Sequence, residues 1–232
     1  MKITFLGTGS GASFGSRRVK SSILVESKGA KVLFDLGTGA NFKLEDIGKL
    51  DVDAIFVTHL HIDHVNGVFE HLVQRQVNGL PKVRVFSPPG FSRLLRDFVE
   101  LGNDVEAEVV ESPLPRATIG ELQIYSVRAC HKIYAVSYAI RGEGKKVVYS
   151  GDTSEPCNEI LDEAKDADLV IHEASCLSGC EKFGHTPVPT AISLFSNEKL
   201  ILTHIPAQKE KEIVEFVKDR VKLANDGMVI DV

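Results

Sequence analysis

Thr58-His59-Leu60-His61-Ile62-Asp63-His64 is the stretch on which the reading of this 232-residue chain turns. It follows Asp53-Ala54-Ile55-Phe56-Val57, an apolar run of strand character, and helical sequence begins just after it. A loop anchored at the end of a buried strand can aim side chains into a cleft while its own backbone stays fixed. Imidazole nitrogens with a carboxylate suit zinc best, with manganese or iron as alternatives. Four such donors from one short loop cannot all reach a single tetrahedral ion. They read instead as two sets, His59 with His61 and Asp63 with His64, and each set needs further ligands from elsewhere. The candidates lie where strand-like runs end: His131 in Cys130-His131, Asp152 in Ser150-Gly151-Asp152-Thr153, and His204 in Leu202-Thr203-His204-Ile205-Pro206. Asp152 follows a glycine turn, where a short carboxylate could bridge two ions.

Outward from this loop, runs rich in Val, Ile and Phe predict strands at 3–6, 22–26, 32–35, 54–57, 83–86, 122–127, 137–140, 146–149, 169–171, 200–202 and 228–231. Helical periodicity is read at 67–74, 91–101, 159–165, 189–196 and 209–223. Strands lead and then alternate with helices, an inventory that two sheets with outer helical layers accommodate in one domain over residues 1–232. Hydrophobic residues make up 43% and charged residues 25%, enough for a sizeable core, and the net charge of −5 argues against a broad basic surface that coats nucleic acid. No apolar run approaches the roughly 18 residues that span a membrane, and the opening Met1-Lys2-Ile3-Thr4-Phe5-Leu6-Gly7 lacks the pattern of a signal peptide. The expectation is a cytoplasmic protein without a membrane partner, its four cysteines mainly reduced. Cys176 and Cys180 are close enough in sequence to raise a disulfide or a metal pair.

The pattern His-x-His-x-Asp-His at 59, 61, 63 and 64 resembles the signature of the metallo-β-lactamase superfamily. The resemblance implies an α/β (α+β) fold, an αββα sandwich of two mixed β-sheets flanked by helices. It implies one metal held by His59, His61 and His131, a second by Asp63, His64 and His204, and Asp152 bridging them. Asp35, in Leu33-Phe34-Asp35-Leu36-Gly37, matches the family's acidic residue that supports the ligand loop from behind. Two divalent ions, most simply zinc, would ionise a water at neutral pH and stabilise charge on the attacked group. That chemistry serves lactams, thioesters and phosphodiesters alike, so the fold alone does not choose a substrate.

His172-Glu173-Ala174-Ser175 followed by Gly184-His185-Thr186 looks like the paired motifs of ribonuclease Z enzymes. Carried over, His185 protonates the leaving oxygen, Glu173 orients it, and these two with Asp63 form the catalytic set. A sugar alkoxide leaves poorly, so a donor with a pKa near 7 helps. The competing reading makes His185 a cap for the helix that starts at Pro187. His172 reads as a packed strand-end residue and His71 as structural. Gly7-Thr8-Gly9-Ser10-Gly11 lacks the ending of a phosphate-binding P-loop and reads as a hairpin loop beside the metals. Arg17, Arg18 and Lys20 in that loop are read either as contacts to substrate phosphates or as a solvated basic patch.

One departure matters. The arm with which ribonuclease Z enzymes grip tRNA would lie where this chain has only Arg141-Gly142-Glu143-Gly144-Lys145, a tight turn. The expected function is a binuclear metal-dependent phosphodiesterase acting on a small or cyclic phosphodiester or an RNA 3′ end. A lactone, thioester or carboxylic ester hydrolase is the alternative, and a non-catalytic, metal-stabilised RNA- or protein-binding module is the alternative of another class. The partners implied are a small-molecule phosphodiester or short RNA, with a homodimer left open because relatives of this fold are often dimers.

Overall fold

A computed structural model describes residues 1–11 and 17–232. In chain order its strands are β1 (Lys2–Gly7), β2 (Ser22–Ser27), β3 (Ala30–Phe34), β4 (Ala54–Phe56), β5 (Val83–Ser87), β6 (Ala107–Glu111), β7 (Arg116–Ile119), β8 (Leu122–Arg128), β9 (Val136–Gly142), β10 (Lys145–Tyr149), β11 (Leu169–Glu173), β12 (Leu200–Thr203), β13 (Lys222–Leu223) and β14 (Val229–Asp231). The helices are α1 (Ala40–Asp46), α2 (Ile62–Val77), α3 (Phe91–Glu100), α4 (Asn158–Ala164), α5 (Val188–Leu194) and α6 (Glu210–Val217). One sheet runs β14-β1-β2-β3-β4-β5-β6 and the other β13-β12-β11-β10-β9-β8-β7. Both mix parallel and antiparallel pairs.

The period-two alternation of the strands builds the layers. Val32 and Phe34 of β3 and Ala54 and Phe56 of β4 face the same buried cluster as Val147 and Tyr149 of β10 and Ile171 of β11, so this cluster lies between the sheets. The intervening residues Leu33 and Ile55 join Val65, Val68 and Leu72 of α2 and Phe91 of α3 on the outer face of the first sheet. Val148, Val170 and Leu202 likewise meet Ile160 of α4, Ala191 of α5 and Ile213 of α6 outside the second. Three apolar layers between four structural layers give the αββα sandwich expected from the sequence. Phe56 stacks on Phe86 with ring centres 4.5 Å apart, and Tyr138 of the opposite sheet meets Phe56 edge-on at 5.4 Å. Among the described residues, no helix is long and apolar enough to cross a membrane.

Several expectations are corrected. The helix read at 67–74 begins five residues earlier, at Ile62, so Asp63 and His64 lie in its first turn. Histidine and aspartate are poor formers inside a helix, but at its start their side chains need not compete with intrahelical bonding. The helix read at 209–223 stops at Val217. Asp219 takes φ +61°, and Lys222 and Leu223 instead pair with Ile201 and Leu202 as a parallel edge strand. Helix α1 and strands β6 and β7 were not read from the sequence. Helix α1 is one short amphipathic stretch entered from Gly39 without a side-chain cap, and β6 and β7 are half exposed at sheet edges, where alternation is weak. The four cysteines, expected mainly reduced, are paired: Cys130–Cys157 was not read, and Cys176–Cys180 takes the disulfide that their spacing had left open. The segment Arg141–Lys145 is the tight β9–β10 turn that was read, with Gly142 opposite Lys145.

Candidate metal centre

β3, β4, β10, β11 and β12 run parallel within their sheets, and their C-terminal ends open on one edge of the sandwich. From those ends come Asp35, His59, Asp152, Glu173 and His204, while His131 follows the end of antiparallel β8. The register of the sheets thus brings together residues as far apart in sequence as Asp35 and His204.

The junction between β4 and α2 is held by packing at its back. Leu36 donates its amide to the His64 carbonyl, and Gly67 donates to the Leu36 carbonyl, both at 2.8 Å. A Cβ at Gly67 would lie 2.5 Å from the Gly37 carbonyl oxygen, so only glycine lets the helix seat this closely. His61 is the N-cap, with extended backbone, and the helix proper turns Asp63 and His64 toward the same cleft.

Asp35 supports this junction. Fully buried and at φ +55°, it accepts from the Thr58 amide (2.7 Å), the Thr58 hydroxyl, the Tyr149 hydroxyl (2.9 Å) and His64 Nδ1 (2.7 Å). Tyr149 belongs to the opposite sheet, so one carboxylate ties both sheets to the tautomer of His64.

The donor atoms form two clusters. In one, His59 Nε2 lies 3.0 Å from His61 Nδ1, His131 Nε2 lies 3.3 Å from His61 Nδ1, and Asp152 Oδ2 lies 3.4 Å from His59 Nε2. In the other, His64 Nε2 lies 3.2 Å from His204 Nε2, His204 Nε2 lies 3.3 Å from Asp63 Oδ2, and Asp152 Oδ1 lies 3.1 Å from His64 Nε2. Asp152 offers one oxygen to each. The donors of His59, His61, His131 and Asp152 fall within 4.8 Å of one another, as do those of Asp63, His64 and His204.

These residues fit metal ions on their own chemistry. His131 donates from Nδ1 to the Gly184 carbonyl (2.8 Å) and His64 from Nδ1 to Asp35, so in the neutral rings both Nε2 atoms present lone pairs to other acceptors. Asp152 Oδ1 is buried and accepts no hydrogen bond from the described residues. Lone pairs converging at about 3 Å repel unless a cation sits among them. For His64, burial works against the charged form, yet Asp152 and Asp35 raise its pKa well above the usual histidine range. Asp152 and Asp63 are pushed the other way: burial disfavours their charge, but the surrounding imidazoles hold both well below the carboxylate range. A divalent ion replaces the proton in such a cluster.

Beside the clusters, His185 Nδ1 lies 2.9 Å from Glu173 Oε1 and 3.9 Å from Asp152 Oδ2. Glu173 is buried at the end of β11, where it also accepts from the Thr153 amide (3.0 Å) and the Ser175 hydroxyl (2.7 Å). Burial lowers the pKa of His185, but the Glu173 carboxylate outweighs it and raises the value to about 9. The helix-cap reading of His185 is not met, because α5 is capped from Pro187 with no side-chain hydrogen bond. His172 is buried, bonded to the Glu173 carbonyl (2.9 Å) and packed on Phe195. His71 is buried on α2 with no partner among the described residues for either ring nitrogen, and burial with Arg75 nearby depresses its pKa to about 3.

Of the two readings of the first loop's basic residues, phosphate contact or solvated patch, Arg18 follows neither. Arg18 is turned into the protein, donating to Thr8 Oγ1 (2.7 Å) and the Ala224 carbonyl (2.8 Å) and pairing with Glu210 at 2.7 Å. Lys20 donates to the Ser10 carbonyl (3.0 Å). Arg17 is exposed, and residues 12–16 of that loop lie outside the described residues. The same loop contributes a contact that sequence reading missed: the Gly11 amide donates to Asp63 Oδ2. The cleft is a cavity of about 420 Å³ lined by Ser10, His61, Asp63, Asp152, His185 and His204, with an outer wall from the loop that includes Cys176, Cys180 and Phe183.

Known proteins place this architecture. The family described as "Anti-Pycsar protein Apyc1" matches residues 1–227. The "Zinc phosphodiesterase ELAC protein 2" of Mus musculus is 28% identical over 274 aligned positions covering 99% of this chain, which spans about a third (33%) of that protein's length. A "Ribonuclease Z" of Methanosarcina acetivorans is 25% identical over 295 positions, covering 100% of this chain and 96% of that one. Both alignments are longer than the chain, so these relatives carry segments it lacks. The metallo-β-lactamase fold protein YhfI from Bacillus subtilis superposes with a TM-score of 0.83 at 21% identity, covering 99% of this chain and 98% of that one, which shows the fold.

Proposed function

The chain belongs to the family described as anti-Pycsar protein Apyc1, and from that premise we propose that it is a zinc-dependent phosphodiesterase with two ions, acting on a small or cyclic phosphodiester or an RNA end. The observation that carries the reading is Asp152, a buried carboxylate with one oxygen beside His59 and the other beside His64, and with the His185–Glu173 pair next to it. The relatives named zinc phosphodiesterase and ribonuclease Z support the reaction class.

His59, His61 and His131 would hold one ion and Asp63, His64 and His204 the other, with an Asp152 oxygen near each set. Bound there, the ions supply Lewis acidity and lower the pKa of a water, so that a nucleophile exists at neutral pH. The chain's own residues do the rest. Asp35 fixes His64 through Nδ1, and the Gly184 carbonyl fixes His131 in the same way. Glu173 accepts from His185 Nδ1, which leaves Nε2 to carry a proton toward the leaving oxygen. With its pKa raised to about 9 by Glu173 against the effect of burial, His185 keeps its proton at neutral pH. Ser175, bonded to Glu173 and 3.2 Å from His204 Nδ1, links the acid pair to the second cluster. The short β9–β10 turn favours a compact substrate over a folded RNA held by a distant arm.

The test compares wild type with His185→Ala, at equal metal content, on two phosphodiesters. On an alkyl diester, whose alkoxide needs a proton, the variant should lose about 10²–10⁴ in turnover. On bis(p-nitrophenyl) phosphate, whose leaving group needs none, the loss should be far smaller. Wild-type protein loaded with two zinc ions that hydrolyses neither diester, but cleaves a lactone or thioester, would sink the reading.

A further inference from the structure

We infer that Asp226 is a positioning residue for the second metal set: its carboxylate fixes the Thr8–Gly11 strap that braces Asp63 and His204, and so governs how tightly an ion is held there. This rests on the two-ion reading above. Asp226 is half-buried in the segment between β13 and β14, and it is not one of the seven donors. Its carboxylate joins the two ends of the loop after β1. Oδ1 accepts from the Thr8 amide (2.9 Å) and the Thr8 hydroxyl (2.6 Å), and Oδ2 accepts from the Val19 amide (2.7 Å). Bonds to an ionised acceptor are stronger than neutral ones, and three of them converge here. The segment that carries Asp226 is itself tied to both sheets. The Ala224 amide donates to the Leu202 carbonyl of β12 (2.8 Å), and the Gly227 amide to the Phe5 carbonyl of β1 (2.7 Å).

Held at Thr8 and Val19, the strap reaches the second set at two places. It pairs first with the backbone that follows His204: the Ile205 amide donates to the Thr8 carbonyl (2.8 Å) and the Ser10 amide to the Ile205 carbonyl (3.2 Å). His204 needs that support. It takes φ +62°, a left-handed conformation that a residue with a Cβ keeps only where its surroundings dictate it. Gly9 lets the strap lie close to the other arm of its own loop, since a Cβ there would stand 2.8 Å from the Cβ of Arg18. Two residues further on, the Gly11 amide donates to Asp63 Oδ2, the oxygen that lies 3.3 Å from His204 Nε2. That bond orients the Asp63 carboxylate from outside the helix that carries it. Asp226 thus acts on His204 through Thr8 and on Asp63 through Gly11. The first set is positioned elsewhere, His59 and His61 by the β4–α2 junction and His131 by the Gly184 carbonyl.

Zinc affinity, measured by competition with a chelator, tests this without turnover. In a His61→Ala background the ion that remains is the one held with Asp63, His64 and His204; in a His204→Ala background it is the other. Adding Asp226→Ala should weaken zinc binding on the order of 10-fold in the first background and leave it unchanged in the second. Asp226→Asn keeps a carbonyl oxygen for Thr8 but sets an amide group against the Val19 N–H, so it should give a smaller loss with the same selectivity. It carries the test alone if the alanine variant does not fold. Equal loss in both backgrounds would make Asp226 a general stabiliser of the fold and overturn the inference, as would no loss in the first. Either result leaves the two-ion reading standing. Wild-type protein that takes up a single zinc ion fails the two-ion reading, and the inference with it. Hydrolysis is no part of the readout, so a failure of the phosphodiesterase reading is seen separately.

Discussion

The first sheet delivers His59, His61, Asp63 and His64 through a single strand-to-helix junction, whereas the second delivers His131, Asp152 and His204 from three separate strand ends. The two halves solve the same positioning problem differently. At the junction, local geometry suffices: the start of α2 fixes where four side chains point, and Asp35 holds the group from behind. In the second half nothing local relates His131 to His204, and their proximity depends on the register of β8 through β12 and on loop conformation. The second half therefore needs added restraint, and all four cysteines lie there. Cys130 precedes His131 and is joined to Cys157, just beyond Asp152, and the Cys176–Cys180 pair closes the loop between Glu173 and His185.

The largest effect should come where the halves meet. Among the described residues Asp152 is the one side chain with an oxygen close to each cluster, so Asp152→Ala removes a donor from both, while His61→Ala removes one from the first cluster alone. Native mass spectrometry should show Asp152→Ala retaining neither ion firmly and His61→Ala retaining one, with turnover of the former down by roughly 10⁴ or more. Equal metal loss in the two variants would break the claim that two sets of donors share one carboxylate.

A smaller effect sharpens the contrast in how ligands are oriented. His64 depends on a side chain, Asp35, and His131 on a backbone carbonyl, Gly184. Asp35→Asn keeps the shape but removes the charge, and should weaken zinc binding about 10- to 100-fold. In a competition titration with a chelator the loss should fall on the ion held with His64, leaving the other affinity within a few-fold. A uniform loss would mean that Asp35 serves mainly to join the sheets through Tyr149.

The same contrast explains what the sequence revealed. His59, His61, Asp63 and His64 were legible because their relation is contained in six residues, and strand alternation around them predicted the layers. His131, Asp152, His204, Glu173 and His185 carry no such local signal: each closes a strand or loop, as many satisfied polar residues do. The family resemblance assembled them, and the parallel ends of β10, β11 and β12 provide the physical reason they meet. What stayed illegible depended on tertiary contact alone. Nothing in the sequence turns Arg18 toward Thr8 and Glu210, sends Lys222 and Leu223 to the edge of β12, or brings the Gly11 amide to Asp63. The cysteines misled for a related reason, since an expectation about compartment was allowed to decide pairing that proximity in the fold determines.

The smallest effect should separate the two halves by reduction. Closing a loop lowers the entropy of the unfolded chain by an amount that grows with the logarithm of its length. On that model the Cys130–Cys157 pair, with a sequence separation of 27, contributes about 3.5 kcal/mol, and the Cys176–Cys180 pair, with a separation of 4, about 2 kcal/mol. Cys130→Ser/Cys157→Ser should therefore lower the denaturation midpoint more than Cys176→Ser/Cys180→Ser. Their functional order should be the reverse, because the short ring lies in the wall that carries Gly184, Phe183 and His185. Hydrogen exchange adds the decisive comparison: a reductant should speed exchange in the loops after β8, β10 and β11 while amides of β3, β4 and α2 stay protected. If the junction at His59–His64 loosens to the same degree, the two halves are one cooperative unit, and the distinction between a locally built and a stapled side of the centre falls.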